Sequence, residues 1–164
     1  MLNYLINLLF SIFPPTHFFK FKVFCLQFAN AKIGKSTSIC SNIKIYGRGK
    51  LIIGDFCWIG IGCQFHISSS ASIKIDHNCD IAPNVQFITG THEIGTNKRR
   101  AGRGVANDIL IGSGSWIGAG SILLAGVSIG EGTVVAAGSV VKAGTYPSNV
   151  LLAGIPAKII KSYS

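Results

Sequence analysis

The sequence predicts an all-β fold, a parallel β-helix that forms a three-sided prism. An aliphatic residue recurs at every sixth position from Ile111 to Val141 without exception. A small residue stands four positions after each of these, as expected where a side chain packs inside a tight corner. Where the spacing is longer than six, the interruption always follows the third repeat of a set of three. This indicates that three repeats make one closed coil.

A coil of three repeats holds about eighteen residues, and parallel strands of successive coils stack about 4.8 Å apart. The aliphatic side chains fill the prism interior. At the interruptions the spacing is eight, ten and twenty-four residues, from Ile45 to Ile53, from Phe65 to Ile75 and from Phe87 to Ile111. Insertions confined to one corner leave the stack intact, so the interruptions support the prism.

Residues 1–30 precede the first coil and are predicted to be a short helical segment. The stretch "MLNYLINLLFSIF" is apolar, but it is shorter than the roughly 20 residues that a spanning helix needs, and Pro14 and Pro15 end it. The aromatic and basic "THFFKFKVFCLQFA" follows. Two interpretations stay open: packing on the domain end or another subunit, or contact of residues 1–28 with the anionic inner face of the plasma membrane.

The β-helix domain is expected over residues 31–164, with a C-terminal cap at 146–164. Residues 88–108 contain "ITGTHEIGTNKRRAGRG", which lacks aliphatic residues at the required places, so we predict a long protruding loop here. Its cations are Lys98, Arg99, Arg100 and Arg103. They either bind an anionic acceptor or simply solvate the loop.

Composition restricts the partners and the compartment. The net charge of +9 favours anionic partners, but no aromatic–basic motif suggests nucleic acid. Five cysteines without a CxxC pair favour a reduced, cytoplasmic setting, and Cys57, Cys63 and Cys79 occupy the small interior positions. No metal site is expected, because the histidines at 66, 77 and 92 stand at different places in their repeats.

The hexapeptides "IGSGSW IGAGSI LLAGVS IGEGTV VAAGSV" and the closing "YPSNVLLAGIPAKIIK" resemble the left-handed β-helix acyltransferases. The resemblance covers residues 33–161 and implies the left hand of the coils. One loop histidine together with "SWIGAGS" and "AGIPAKIIK" is similar to CoA-dependent O-acetyltransferases acting on galactosides, maltose and polysaccharides. The N-terminal "FPPTHFFKFKVFCLQFANAKIGKS" resembles enzymes that acetylate surface polysaccharides.

His92 is the predicted general base. A neutral imidazole suits removal of a hydroxyl proton near pH 7, and His92 matches the histidine that starts this loop in the related enzymes. The resemblance also implies a homotrimer with acetyl-CoA bound between subunits along the later coils. The positions that match its cofactor contacts are Trp116, Ala119, Ala137, Lys142, Lys158 and Lys161. Surface or trimer packing for Trp116, and a solvated tail for the last two lysines, are the alternatives.

Acceptor contacts are expected from Asn84, His66 and Glu93. Asn84 could instead cap a corner, and His66 could be purely structural. Gly62 and Ser70 replace the polar acceptor ligands of the galactoside-type enzymes, so a galactoside-type acceptor is not supported.

The sequence therefore predicts an acetyl-CoA-dependent O-acetyltransferase that modifies a sugar hydroxyl of a surface polysaccharide or of its lipid-linked precursor. The alternatives are an N-acyltransferase acting on the amino sugar of a sugar nucleotide, and a non-catalytic β-helix binding module. Binding of acetyl-CoA separates the two enzymes from the binding module.

Overall fold

A computed structural model describes residues 2–164 of the chain. Residues 32–162 form a parallel β-solenoid of about six turns, with three sheets as its faces. Face one contains β1 (Lys32–Ile33), β4 (Lys50–Ile53), β7 (Ser72–Ile75), β12 (Ile109–Ile111), β15 (Val127–Ile129) and β18 (Gly144–Tyr146).

Face two contains β2 (Ser38–Ile39), β5 (Trp58–Ile59), β8 (Asp80–Ile81), β13 (Trp116–Ile117), β16 (Val134–Val135), β19 (Val150–Gly154) and β20 (Ala157–Ser162). Face three contains β3 (Lys44–Gly47), β6 (Gln64–Ile67), β9 (Gln86–Ile88), β14 (Ile122–Leu124) and β17 (Val140–Val141). The prediction of an all-β, three-sided parallel solenoid is confirmed.

The register follows the predicted repeat. On face three the neighbouring residues of successive coils are Ile45, Phe65, Phe87, Leu123 and Val141. These side chains are buried, and the rings of Phe65 and Phe87 stack with centroids 5.1 Å apart. The aliphatic positions therefore form continuous interior columns, as the period of six predicts.

The serine and cysteine side chains that stand four positions after the aliphatic residues share a hydrogen-bonding role. The hydroxyls of Ser115 and Ser121 donate to corner carbonyls of the next coil, at 3.1 and 3.0 Å. The thiols of Cys57 and Cys63 are buried and donate in the same way, to Asp76 O at 2.9 Å and Ala82 O at 3.2 Å. A small side chain with one donor fits this position, which is why cysteine replaces serine here.

The corners differ in length. The second corner, between faces two and three, has four residues in each coil, for example 118–121. The third corner leads from face three to the next coil. It has two residues at 48–49, four at 68–71, twenty at 89–108, and two each at 125–126 and 142–143. All three predicted interruptions fall at this corner.

Two helices close the first coil, α1 (Leu2–Ile12) and α2 (Phe19–Phe28). The Asn7 side chain donates to Ile45 O at 3.0 Å and accepts from Ile45 N at 2.9 Å, which satisfies the open edge of face three. The buried Lys22 ammonium donates to Ser41 Oγ at 3.0 Å and to Pro15 O at 3.2 Å. Packing on the domain end, one of the two interpretations of this segment, is therefore observed.

The predicted loop at residues 88–108 is an ordered β-hairpin, formed by β10 (Gly90–Thr96) and β11 (Arg99–Ala106). At the other end of the solenoid, β20 turns back and pairs antiparallel with β19. No helix within residues 2–164 has the length and apolar character needed to cross a membrane.

Candidate active site

The foot of the hairpin is tied to the third corner by a buried threonine. Thr89 N and Thr89 Oγ1 both donate to His66 O, at 3.0 and 3.1 Å. Thr89 Oγ1 also accepts from Ser68 N at 2.9 Å, and Asn107 N donates to Thr89 O at 3.0 Å. These bonds connect the Thr89 end of the hairpin to the previous coil and join Asn107 to Thr89, so the foot of the hairpin is closed by hydrogen bonds.

His92 lies on the first hairpin strand, exposed and directly opposite Gly104. A Cβ atom placed on Gly104 would lie 3.9 Å from His92 Nε2, so the imidazole extends over the space left by the missing side chain. Next to it the register shifts, and Gly102 and Arg103 face Glu93 as a β-bulge. The hairpin therefore presents one accessible imidazole just above its foot.

The outer part of the hairpin is strongly cationic. Arg103 Nη2 donates to Glu93 Oε1 at 2.7 Å in an exposed ion pair. Lys98, Arg99 and Arg100 are also exposed. Because Glu93 is paired with Arg103, three cations around the turn keep an uncompensated positive charge.

His66 lies near the end of β6 on face three, next to the third corner, in the coil before the hairpin. Its ring stacks on Tyr46 with centroids 4.8 Å apart, and Nε2 is 3.2 Å from Gln64 Oε1. Burial lowers the pKa of His66, which favours the neutral imidazole. The histidine is thus both packed and close to the foot.

Several of the residues expected at the cofactor lie on face two. Trp116 is exposed and lies in a lateral row that runs from Asp80 through Val134 and Leu151 to Lys161 on the final strand. Lys158 pairs with Ala153 in the same two-stranded edge. An exposed aromatic ring and two lysines therefore share one face along the later coils.

Ala119 and Ala137 lie beside this face, stacked at the second corner of consecutive coils. Gly138 N donates to Ala119 O at 2.8 Å, and both alanines are exposed. Asn84 lies at the same corner of an earlier coil, with φ of 60° and its side-chain oxygen beneath Gly62. This left-handed conformation is typical of asparagine at a tight turn.

Lys142 lies apart from these residues, at the third corner above the hairpin. Its carbonyl accepts from the Tyr146 hydroxyl at 3.1 Å, and its side chain is exposed.

The candidate residues thus form two groups within one chain. His92, Glu93, His66 and Lys142 lie at or next to the third corner; Asn84, Trp116, Ala119, Ala137, Lys158 and Lys161 lie on face two or the second corner. Face three separates the corners by about 16 Å, at about 3.3 Å per residue over about five residues. A single chain does not bring the two groups together.

Within residues 2–164, no three side chains of His, Cys, Asp or Glu are grouped as metal ligands. His77 contacts carboxylates instead: Nδ1 is 3.5 Å from Asp55 Oδ2, and Nε2 is 3.3 Å from Asp76 Oδ1. The interior cysteines are free, and burial raises the pKa of Cys63 to about 12. The Cys63 thiol therefore stays protonated at neutral pH.

The sequence interpretation did not identify Thr89, Asn107 or Gly104 as parts of the site. The sequence predicts the hairpin only weakly. Asn97 and Lys98 fit a turn, but the strands on either side contain few aliphatic residues. Thr89 could have been found from its position directly after the last repeat before the interruption.

Comparison with known proteins places this architecture in a family. Residues 108–143 match the family described as bacterial transferase hexapeptide, six repeats. The chain is 31% identical over 147 residues to the inferred colanic acid biosynthesis acetyltransferase WcaF of Escherichia coli (strain K12), covering 90% of this chain and 78% of the relative. The chain belongs to the hexapeptide-repeat transferases. The predicted left-handed β-helix and acyltransferase class are confirmed at the level of the family.

Other proteins in the family are similar over most of the chain. An inferred acetyltransferase of Dictyostelium discoideum is 45% identical over 124 residues, and the chain spans 65% of that relative's length. A maltose O-acetyltransferase from Clostridium difficile 630 has 27% identity and a TM-score of 0.72, with 98% of this chain and 84% of that chain covered. The fold also matches a hexapeptide-repeat acetyltransferase of Vibrio cholerae solved with acetyl coenzyme A, at 24% identity, a TM-score of 0.67, and coverage of 98% and 85%.

Proposed function

We propose that this hexapeptide-repeat transferase moves an acetyl group from acetyl-CoA to a carbohydrate hydroxyl. The acceptor is a sugar of a surface polysaccharide or of its lipid-linked precursor. The names of the E. coli and C. difficile relatives support polysaccharide biosynthesis and O-acetylation respectively. The free interior cysteines favour a reduced compartment such as the cytoplasm.

The observation that carries this proposal is the position of His92. A hydrogen-bonded foot holds the hairpin, and no side chain stands opposite the imidazole. His92 accepts the proton of the acceptor hydroxyl as its oxygen attacks the thioester carbonyl carbon. The tetrahedral adduct then collapses with cleavage of the C–S bond, and the imidazolium returns the proton to the sulfur of CoA. A positioned base of this kind contributes about 10²–10⁴ to the rate.

The face-two residues fit the donor. Trp116 offers an exposed ring to the pantetheine arm, and small side chains at Ala119 and Ala137 allow close approach. Lys158 and Lys161 stand at the end of the same face and suit phosphate groups as mobile point charges. Lys142 extends from the third corner toward the same donor.

Since His92 and Trp116 lie on different edges of one chain, the complete site needs two subunits. A homotrimer in which the third corner of one subunit lies beside face two of the next would supply such a site. Asn84, His66 and Glu93 contact the acceptor in this arrangement.

The first experiment compares His92→Ala with His77→Ala, a histidine already engaged by two carboxylates. We expect His92→Ala to lose at least about 100-fold in turnover while calorimetry still detects acetyl-CoA binding. His77→Ala should retain turnover if it folds. Near wild-type turnover in His92→Ala rejects this base, and absence of acetyl-CoA binding by the wild-type protein leaves only a binding module.

A mixing experiment tests the shared site. His92→Ala and Trp116→Ala proteins are each assayed alone and after dissociation and reassembly together. A two-subunit site predicts recovered activity in the mixture, because some interfaces then carry neither substitution. Activity that never rises above that of the separate variants argues that each chain works alone.

Product chemistry separates hydroxyl from amine acceptors. The acetylated glycan is treated with mild alkali and followed by mass spectrometry. An ester loses its acetyl group under these conditions, whereas an amide, the product of the alternative N-acyltransferase, keeps it.

A further inference from the structure

The outer surface of the two N-terminal helices exposes an unusual number of large apolar side chains. Their inner surfaces bury Ile6, Phe10 and Leu26 against the first coil. The outward side chains include Leu2, Leu5, Leu8, Ile12, Phe21, Phe24 and Phe28. We call this surface the helical face. Scattered exposed leucines are ordinary, but a contiguous apolar patch indicates a partner.

The two helices form a groove at the centre of the helical face. It has a volume of about 210 Å³, and its lining includes Leu5, Leu9, Phe24 and Phe28. Leu5 is 59% exposed and Phe24 is 64% exposed, so both side chains are available to an apolar medium. Phe13 extends the patch by packing against Phe18 and Phe21, with ring centroids 5.4 and 5.5 Å apart.

Two cationic hollows adjoin α2. One, of about 470 Å³, is lined by residues that include Lys20, Gln27 and Lys35. The other, of about 420 Å³, includes Arg48 and Lys50. Neither lining contains a carboxylate. An apolar surface next to cationic hollows matches the boundary between lipid tails and anionic headgroups.

The charge asymmetry of the sequence strengthens this match. Residues 1–54 contain seven of the fifteen lysines and arginines, and the first acidic residue is Asp55. That carboxylate is already engaged, because it accepts from Lys35 N and lies 3.5 Å from His77 Nδ1. Residues 1–54, which form the helices and the first coil, therefore carry +7 of the net charge of +9.

We propose that the helical face docks on an anionic bilayer surface, inserting Leu5, Phe24 and Phe28 at the headgroup level. Lys20, Lys35, Arg48 and Lys50 then contact lipid phosphates. Pairing of this face with a second copy is disfavoured, because it would bring two uncompensated cationic surfaces together. The docking does not depend on the transferase reaction.

Docking would also bring the site close to the membrane. Arg48 lies in the third corner of the first coil, and the hairpin rises from the same corner two coils later, about 10 Å along the prism axis. A sugar attached to a lipid at the surface is therefore within reach of the cationic hairpin. This last step rests on the proposed function, whereas the docking itself does not.

The test is co-sedimentation of the full chain with vesicles at low salt. Vesicles of phosphatidylcholine alone are compared with phosphatidylcholine and phosphatidylglycerol at about 3:1. We expect binding to the anionic vesicles only, weakened by high salt. Phe24→Ser and Lys20→Glu should each lower the partition coefficient about tenfold.

Matched controls lie elsewhere on the molecule. Ile160, which is 61% exposed at the opposite end, is changed to Ser, and Lys74 on face one is changed to Glu. Both should bind vesicles like the wild type. Equal losses in these controls, or binding that ignores lipid charge, would overturn the proposal. A smaller oligomer for Phe24→Ser in light scattering, with no change in vesicle binding, would assign the helical face to a subunit contact instead. An inactive enzyme that still binds anionic vesicles would reject the proposed reaction and leave the docking intact.

Discussion

The second and third corners of the prism differ in how much their length varies. The second corner has four residues in each of five coils, whereas the third corner varies from two residues to twenty. Both corners join the same face three to its neighbours. The difference shows that one corner maintains the stack and the other is free to carry chemistry.

Close backbone packing explains the constant corner. A Cβ placed on Gly118 would lie 2.5 Å from Ala137 N in the next coil, so neighbouring second corners leave no room for an inserted residue. The third corner diverges from the stack at Thr89 and returns at Asn107, where one hydrogen bond closes the excursion. The chain between these residues makes contacts mainly within the hairpin.

The largest expected effect comes from the interior next to this excursion. Phe65→Ala removes a buried ring that stacks on Phe87, and we expect a loss of about 3–5 kcal/mol in the free energy of unfolding. Ile94→Ala on the hairpin, where Ile94 is 85% exposed, should change it by less than about 0.5 kcal/mol. Urea denaturation at one fixed protein concentration measures both. Similar losses would show that the hairpin is part of the cooperative core.

Glycine substitutions sharpen the comparison between the corners. Gly118→Ala forces a methyl group against backbone, and we expect a destabilisation of about 1–3 kcal/mol. Gly104→Ala meets only the edge of His92 at ordinary contact distance, so stability should hold while turnover falls about tenfold through crowding of the base. Thermal unfolding and steady-state kinetics check the pair. A stable Gly118→Ala protein would contradict the account of the constant corner.

The period of six predicted the solenoid because every coil needs an aliphatic side chain at the same interior places. Ile33, Ile53 and Ile75 fill equivalent places on face one, and each returns in register with its neighbour. Repetition of this kind is visible in one sequence, and it also located all three interruptions at one corner. The packing of α1 and α2 on the first coil was one of two interpretations that composition left open.

The hairpin and the relation between the candidate residues were harder to predict. The strands within residues 90–106 do not alternate apolar and polar side chains, because both faces of the hairpin are largely exposed. Backbone pairing and the turn at Asn97 hold them instead. The separation of His92 from Trp116 also depends on which face each residue occupies. The resemblance implied a site between subunits, but the repeat alone did not assign these two residues to different edges of the prism.

Thr89→Val tests whether the foot of the hairpin orders the site. The valine keeps the shape but leaves Ser68 N without its buried partner, so we expect a loss of about 1 kcal/mol in stability. Turnover should fall further than this loss alone explains, because the hairpin that carries His92 becomes less well positioned. Thr145→Val, at an exposed residue of face one, is the control. Unchanged turnover in the Thr89 variant would show that the hairpin is positioned by other contacts.

A small effect is also expected from the ion pair on the hairpin itself. The Arg103 and Glu93 side chains are 77% and 52% exposed, so solvent screens their contact despite the 2.7 Å distance. Glu93→Gln should therefore change the free energy of unfolding by less than about 1 kcal/mol, and high salt should abolish the difference. The same substitution frees the charge of Arg103 beside the proposed acceptor site. An effect on the KM for the acceptor without one on stability would separate a binding role of the hairpin from a structural one, whereas a salt-independent loss of stability would show that the pair is shielded by a neighbouring subunit.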